Sequence, residues 1–176
     1  MPEDTEQQVS TLRAVAHPLR LRILSLLTGT ELSAAEISRE LDVTHANASY
    51  HLRVLADADL VEEAGEEKIR GGVAKRYRHP WDRPDAPSPK PTAEDHDLYV
   101  RAMGAELVRR FAQRKSSGKT WLTDAEMWVT PAVWGEVLGH VQQASGLIHA
   151  EAKLPRTKGT IHVNLTTALF EMETRG

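Results

Sequence analysis

Apolar residues recur at helical spacing along the first thirty positions of the chain. The stripe consists of Leu12, Val15, Leu19, Ile23, Leu26 and Leu27. Residues three or four positions apart lie on one face of a helix, so the pattern predicts helical structure here. Pro18 interrupts the run and suits the first turn of a helix. We therefore expect a first short helix, and a second that starts at Pro18 and ends near Gly29.

Two shorter helices are predicted next. Ser33 and Glu36 have the spacing of a capping box, in which the serine hydroxyl accepts from the Glu36 backbone N–H and the glutamate reaches back to the serine N–H. Ile37 and Leu41 then face the core. Thr44 is a good N-cap for a fourth helix. The buried stripe of that helix is expected to be Ala48, Leu52 and Leu55.

After the fourth helix, residues 60–64 and 73–78 read as two strands. Gly65 and the pair 71–72 lie between them and suit a hairpin turn. Residues 80–91 then hold five prolines in twelve positions. Proline blocks both helices and sheet ladders, so this segment is predicted to be a stiff, extended linker between residues 1–79 and 92–176.

The second half begins with a predicted long helix over residues 92–115. Its apolar stripe is Tyr99, Met103, Leu107 and Phe111. Residues 119–129 alternate as a strand does, a helix starts at Thr130 and Pro131, and residues 160–172 alternate again. The expected fold class is therefore mainly α with small β, in which residues 116–176 form a small strand-helix-strand unit that packs on the long helix.

Four motifs in the first half occur in a characteristic order. They are residues 17–24 (HPLRLRIL), 33–37 (SAAEI), 48–55 (ASYHLRVL) and 58–61 (ADLV). In this order the chain resembles a winged helix-turn-helix transcription regulator of the ArsR type. That family usually has Gly where this chain has Asp59, and Asp tolerates the left-handed conformation better than most residues. The resemblance covers nearly all of residues 1–79 and leaves the C-terminal half unexplained.

The resemblance implies a DNA-binding repressor that acts as a homodimer on an inverted-repeat operator, with residues 44–57 as the recognition helix in the major groove. It also implies that the helix over 92–115 packs against its two-fold mate through its apolar stripe. The polar face of the fourth helix has the side chains that base edges and phosphates require, and His51 is expected to point outward. The candidate DNA-binding residues are Thr44, His45, Asn47, Ser49, Tyr50, His51, Arg53, Lys68, Arg70, Lys75, Arg76, Arg20 and Arg22.

The charge of the chain limits where DNA binds. The net charge is −3, and residues 1–83 hold 11 Lys and Arg against 14 Asp and Glu. A basic surface must therefore be local, and residues 68–78 supply it with five basic side chains and no acid. The acidic average leaves a second hypothesis open: a winged-helix protein-interaction module without DNA binding.

Several classes of protein and site are not expected. The chain has no cysteine, so disulfides, thiolate metal sites and cysteine nucleophiles are excluded. The nucleophile elbow, the P-loop and the dinucleotide fingerprint are absent, so we predict no enzyme activity and no cofactor. There is no apolar run of roughly 20 residues and no signal peptide, so a cytoplasmic protein with no membrane partner is expected.

Two groups of residues are candidates for a metal site, and three tryptophans are candidates for a small-molecule pocket. Asp95, His96 and Asp97 lack the second histidine that the resemblance requires on that helix, and Glu136 with His140 reads as an exposed pair. No metal site is therefore predicted. Three tryptophans, Trp121, Trp128 and Trp134, fall close together. They leave open a pocket for an unidentified small-molecule effector, although aromatic side chains more often form core.

Overall fold

The computed structural model describes residues 10–83 and 88–173. Within them it has six helices and three strands. The elements are α1 (Thr11–Val15), α2 (Pro18–Leu27), β1 (Leu32–Ser33), α3 (Ala34–Leu41), α4 (His45–Asp57), β2 (Glu62–Ile69), β3 (Gly72–Arg78), α5 (Ala93–Ala112) and α6 (Pro131–Ala150). Residues 84–87 of the predicted linker lie outside the described residues, as do residues 1–9 and 174–176.

The predicted helix starts are confirmed. Pro18 opens α2, and the His17 ring nitrogen Nδ1 caps that helix by accepting from the Leu19 backbone N–H at 3.1 Å. The capping box of α3 is present: the Glu36 backbone N–H donates to the Ser33 hydroxyl at 3.3 Å, and the Ser33 N–H donates to the Glu36 carboxylate at 2.8 Å. These contacts satisfy N–H groups that have no partner inside a helix.

The turns on either side of α4 have left-handed residues. Asp42 follows α3 with a φ of 54°, and Asp59 follows α4 with a φ of 55°. The prediction that Asp59 replaces the glycine of the ADLV motif in this conformation is confirmed.

The sheet is antiparallel with the strand order β1-β3-β2. Glu62 lies opposite Arg78 and Lys68 opposite Val73, so the hairpin turns around residues 70–71. The predicted hairpin is confirmed, but β2 runs further than expected. Gly65 is therefore not in the turn. It lies directly after a register shift within the strand, where Ala64 is the extra residue that has no partner on β3. The sequence did not predict β1, whose two residues are too few for an alternating pattern.

The core lies between α2, α3 and α4. Its largest fully buried side chains are Ile23, Leu27, Ile37, Leu52 and Leu55. The predicted stripe of α4 is confirmed, because Ala48 is buried beside the two leucines of that helix. This packing fixes the angle between α3 and α4 and leaves the other face of α4 exposed.

Helix α5 is attached to the first half through its own capping residue. Asp95 is buried and accepts hydrogen bonds from the Thr92 backbone N–H (3.0 Å), the Ser10 hydroxyl (2.9 Å) and the Arg13 guanidinium (3.0 Å). The bond from Thr92, with those from Arg13 and Ser10, lowers the pKa of Asp95 to about 2 against the opposing effect of burial. The carboxylate therefore joins the N-terminus of α5 to α1.

The second half departs from the prediction in one respect. Helix α6 begins at Pro131 with Thr130 as its N-cap, as expected. Residues 119–129 and 160–172, however, are not strands, so the predicted strand-helix-strand unit is not formed in the single chain. Alternation marks a segment that suits a strand, but a strand also needs a partner edge, and neither segment has one within residues 10–83 and 88–173.

The segment after α6 returns to the first half. Arg156 donates two hydrogen bonds to the Glu40 carboxylate of α3, at 3.0 and 2.9 Å. The Trp81 and His149 rings lie 5.6 Å apart. Gly29 has a φ of 75°, and a Cβ at that position would stand 2.5 Å from the backbone oxygen of Ala152. This close approach requires glycine for two reasons, its conformation and its size.

Candidate nucleic-acid interface

The exposed face of α4 is polar. Thr44, His45, Asn47, Tyr50 and Arg53 are exposed, and Ser49 is half-buried. They lie opposite the stripe that packs into the core, as the sequence predicted. A helix held from behind by its own domain and bearing amide, hydroxyl and guanidinium groups in front has the chemistry to contact base edges and phosphates in a major groove.

The N-terminus of α4 carries three of these exposed side chains, Thr44, His45 and Asn47. The Thr44 hydroxyl accepts from the Asn47 backbone N–H at 3.2 Å, which fixes the first turn. The remaining free N–H groups of that turn and the helix dipole favour an approaching anion. The dipole therefore adds to the attraction of the exposed side chains for a phosphate.

His51 does not point outward, so that prediction is wrong. Its side chain is buried, with 5% of the residue exposed, and its ring lies 4.5 Å from the His17 ring. Burial, with the neighbouring His17 and Arg20, lowers the pKa of His51 to about 4. The sequence reasoning failed because it treated every polar side chain of α4 as exposed, whereas His51 lies at the edge of the packed face.

The two arginines of α2 are bonded within the domain. Arg20 donates to the Arg13 carbonyl oxygen at 3.3 Å, and burial lowers its pKa. Arg22 donates to the Leu41 carbonyl oxygen at 2.9 Å, which joins α2 to the end of α3. Both side chains therefore have a role in the fold, and their expected contact with phosphate stays a prediction.

Three of the five basic side chains of the hairpin are paired with carboxylates. Lys75 lies 2.6 Å from Glu63, and Arg78 is paired with Glu62. Arg76 is the most enclosed of them. Its guanidinium lies 3.1 Å from a carboxylate oxygen of α3 and 2.7 Å from one of β2, and it also bonds the carbonyl oxygen of Glu31. The acids of β2 thus offset most of the basic charge that the sequence placed on this hairpin.

Lys68 and Arg70 differ from the other three. They lie at the tip of the hairpin, they are exposed, and no hydrogen bond or ion pair joins their side chains to any residue in 10–83 or 88–173. The free positive charge of the hairpin is therefore at its tip. A basic tip is the part of a wing that can reach the DNA backbone or the minor groove.

Comparison with known families supports this reading of the first half. A family profile described as "Helix-turn-helix domain" matches residues 15–64. Those residues include α2, α3, α4 and the start of β2, and the rest of the hairpin follows them. The N-terminal part of the chain is a winged helix-turn-helix domain. The match covers less than a third of the sequence and says nothing of the C-terminal half.

Two curated proteins are similar to this domain. The transcriptional repressor SdpR of Bacillus subtilis is 28% identical over 54 residues, which is 31% of this chain and 60% of that protein. The uncharacterized HTH-type transcriptional regulator MJ0229 of Methanocaldococcus jannaschii is 36% identical over 63 residues, which is 36% of this chain and 64% of that protein. The chain thus spans less than two thirds of the length of either relative.

Solved structures of regulators are also similar. The transcriptional repressor BigR of Xylella fastidiosa is 20% identical, with a TM-score of 0.33 over 61% of this chain and 86% of that one. A possible transcriptional regulator for arsenical resistance is 22% identical, with a TM-score of 0.34 over 61% of this chain and 99% of that one. Scores this low do not establish a common overall architecture.

The other predicted sites have these surroundings. The Asp95 carboxylate is hydrogen-bonded in the contact between α1 and α5. The Glu136 and His140 side chains lie 3.8 Å apart on α6. The described residues hold no group of three or more His, Asp or Glu side chains placed to bind a metal ion. Trp121 and Trp128 are exposed, and Trp134 is half-buried. None of the helices in the described residues combines the length and apolarity needed to cross a membrane.

Proposed function

We propose that this protein is a DNA-binding transcription regulator of the ArsR type, a repressor that acts in the cytoplasm as a homodimer on an inverted-repeat operator. The observation that carries the proposal is the polar exposed face of α4, held by a packed core within a helix-turn-helix domain. Residues 1–79 are the DNA-binding unit, residues 80–91 the linker and residues 92–115 the dimerisation helix.

The structure favours some of the candidate contacts over others. Asn47 is exposed near the start of α4 and is suited to reading adenine, while Arg53 further along is placed for phosphate. Lys68 and Arg70 at the wing tip have no competing partner in the described chain and supply the electrostatic contact. Arg76 serves chiefly to hold the wing against α3, because its donors already face two carboxylates.

The exposure of the apolar stripe of α5 supports the proposed dimer. In the single chain Tyr99 and Met103 are only half-buried, and Leu107 and Phe111 are exposed. The face of α5 that packs on the domain is a different one, which includes the buried Ala102. The stripe is thus free to pack against the same stripe of a second copy, giving a self-complementary interface.

The test is selection of the purified protein on random duplex DNA at near-physiological salt. We expect enrichment of an inverted repeat with half-sites about one helical turn apart. On that operator, Asn47→Ala is expected to broaden the base preference at one position of each half-site. Arg70→Ala is expected to weaken binding to all sequences and to reduce the slope of log affinity against log salt by about 1 per protomer.

The matched control is Lys158→Ala, which removes an exposed basic side chain that lies outside the helix-turn-helix and the wing. Its operator affinity and salt slope should equal those of the parent. If a folded, dimeric protein enriches no sequence, or if Arg70→Ala and Lys158→Ala change the salt slope equally, the proposed DNA contact is refuted.

One observation favours a second function, a winged-helix module that binds a protein. Glu62, Glu63 and Glu67 pair with the basic side chains of the wing, so most of its positive charge is neutralised within the domain. A surface of paired charges suits a protein partner better than a phosphate backbone. In that case DNA affinity would be weak and similar for all sequences, and a pull-down would identify the partner.

A further inference from the structure

The chain exposes much more surface than a compact monomer of its size retains. The accessible area of the chain is 13923 Å². A compact monomer of 19.6 kDa is expected to expose about 8,600 Å². The 16 residues outside the described ranges account for about 2,600 Å² at most, the value for a fully extended segment of that length. More than about 2,000 Å² of excess area remains, against about 800 Å² that each partner buries in a standard interface.

About half of the exposed large apolar side chains among the described residues lie in the two segments that alternate in sequence. Trp121 is 87% exposed, Trp128 is 88% exposed and Ile161 is 84% exposed. Helix α6, which separates the two segments, has no buried residue along its 20 positions. Soluble monomers rarely expose contiguous apolar patches of this size, so a partner is expected to cover them.

The backbone of the two segments is unpaired as well. Within the described residues, no backbone N–H or carbonyl of 119–129 or 161–172 takes part in a backbone hydrogen bond. Both segments have the alternation of a strand and about the length of one. They therefore lack only an edge to pair with.

One contact places the second segment beside the proposed dimer helix. The Arg110 guanidinium of α5 donates to the Asn164 side-chain oxygen at 3.1 Å. Residues around Asn164 thus lie next to the α5 face that meets the second copy in the proposed dimer. A second copy brings two strand-like segments to the same place, related to the first two by the two-fold axis.

We propose that residues 119–129 and 160–172 become β-strands by pairing with the same segments of a second copy, and that the resulting intersubunit sheet covers α6 of each protomer. The inference rests on the proposed homodimer and extends its interface from α5 to the whole C-terminal half. The strands predicted from the sequence are then real, but they belong to the dimer rather than to the single chain.

Hydrogen exchange of the full-length protein tests the pairing. The parent is measured above its dimer dissociation constant and then as the monomer obtained by dilution or with Leu107→Glu on α5. We expect the amides of 121–129 and 161–171 to be protected in the dimer and to exchange freely in the monomer. Segments that exchange freely in the dimer overturn the inference. So do segments that stay protected in the monomer, because they would then pair within one chain.

A second measurement is the dimer dissociation constant by analytical ultracentrifugation. Ile161→Lys is expected to raise it at least tenfold, while Gln143→Lys, on the exposed side of α6 away from its apolar face, leaves it unchanged. Because Ile161 is exposed in the single chain, the variant is expected to fold. Equal constants for Ile161→Lys and the parent would overturn the inference but leave the α5 dimer standing. A parent that is monomeric at every concentration refutes the dimer itself, and this inference with it.

Discussion

Lowering the pH is expected to destabilise the domain through His51. The pKa of this buried side chain is lowered from 6.5 to about 4 in the folded state. The folded protein therefore binds fewer protons than the unfolded chain between these values. Above pH 6.5 the neutral His51 costs the folded state nothing. Between pH 6.5 and pH 4 the free energy of unfolding decreases as the pH falls. Below pH 4 His51 causes no further decrease.

The size of the effect follows from the two pKa values. Each pH unit in this interval is equivalent to 1.36 kcal/mol of unfolding free energy. Over the whole interval the loss is about 3 kcal/mol, and by pH 5 it is about 2 kcal/mol, both upper limits because local opening hydrates the ring. With a typical urea dependence, the loss at pH 5 moves the unfolding midpoint by about 1 M. His17, whose pKa is also lowered by burial and by Arg20, adds to the same trend.

The assay is urea unfolding from pH 7.5 to 5 at one protein concentration, a pH range in which most carboxylates stay ionised. His51→Phe keeps a ring of similar size but does not titrate, so its midpoint should change much less with pH than that of the parent. His140→Gln is the control, since His140 is exposed on α6 and paired only with Glu136. If the parent and His51→Phe lose the same stability between pH 7.5 and 5, His51 does not titrate as described.

Three further predictions concern stability. Gly29→Ala should cost about 2 kcal/mol, because alanine is strained at this φ and meets a backbone oxygen, whereas Gly139→Ala in open space on α6 should be neutral or stabilising in the same thermal melts. Arg76→Ala should lower the free energy of unfolding, measured with urea, by about 1 kcal/mol, because its carboxylate partners lose their counter-charge. If the urea midpoint does not change, Arg76 does not hold the wing against α3. Asp95→Asn should lower the melting temperature by several degrees through loss of the α1–α5 contact, while Asp97→Asn, on the exposed side of α5, should not.

Contacts between residues close in sequence were sufficient to predict most of the helices in the first half of the chain. Pro18, the Ser33–Glu36 box and Thr44 begin their helices where the sequence placed them, because a cap is a contact between residues two or three positions apart. The buried stripe of α4 was equally predictable, since apolar residues that recur every three or four positions lie on one face of a helix. The polar face of the candidate DNA interface follows from the same geometry.

Contacts between distant residues were not predictable in this way. His51 has a polar side chain on a helix with one exposed face, and only the approach of α2 decides that it is buried against His17. Three of the five basic residues of the wing have carboxylate partners that the sequence did not reveal, because those partners lie across the hairpin or on α3, up to 40 positions away. Pairing with those acids changes which of them remain available to DNA.

In the C-terminal half, the sequence predicts strands that the single chain does not form. The alternation of residues 119–129 and 160–172 establishes that they suit strands, and this much the sequence determined by itself. Whether a strand forms depends on a partner edge, because its backbone hydrogen bonds are made to another segment rather than within its own. A helix such as α6 satisfies its own backbone and so appears in the single chain. Tertiary structure, and in our proposal the second copy, decides the rest.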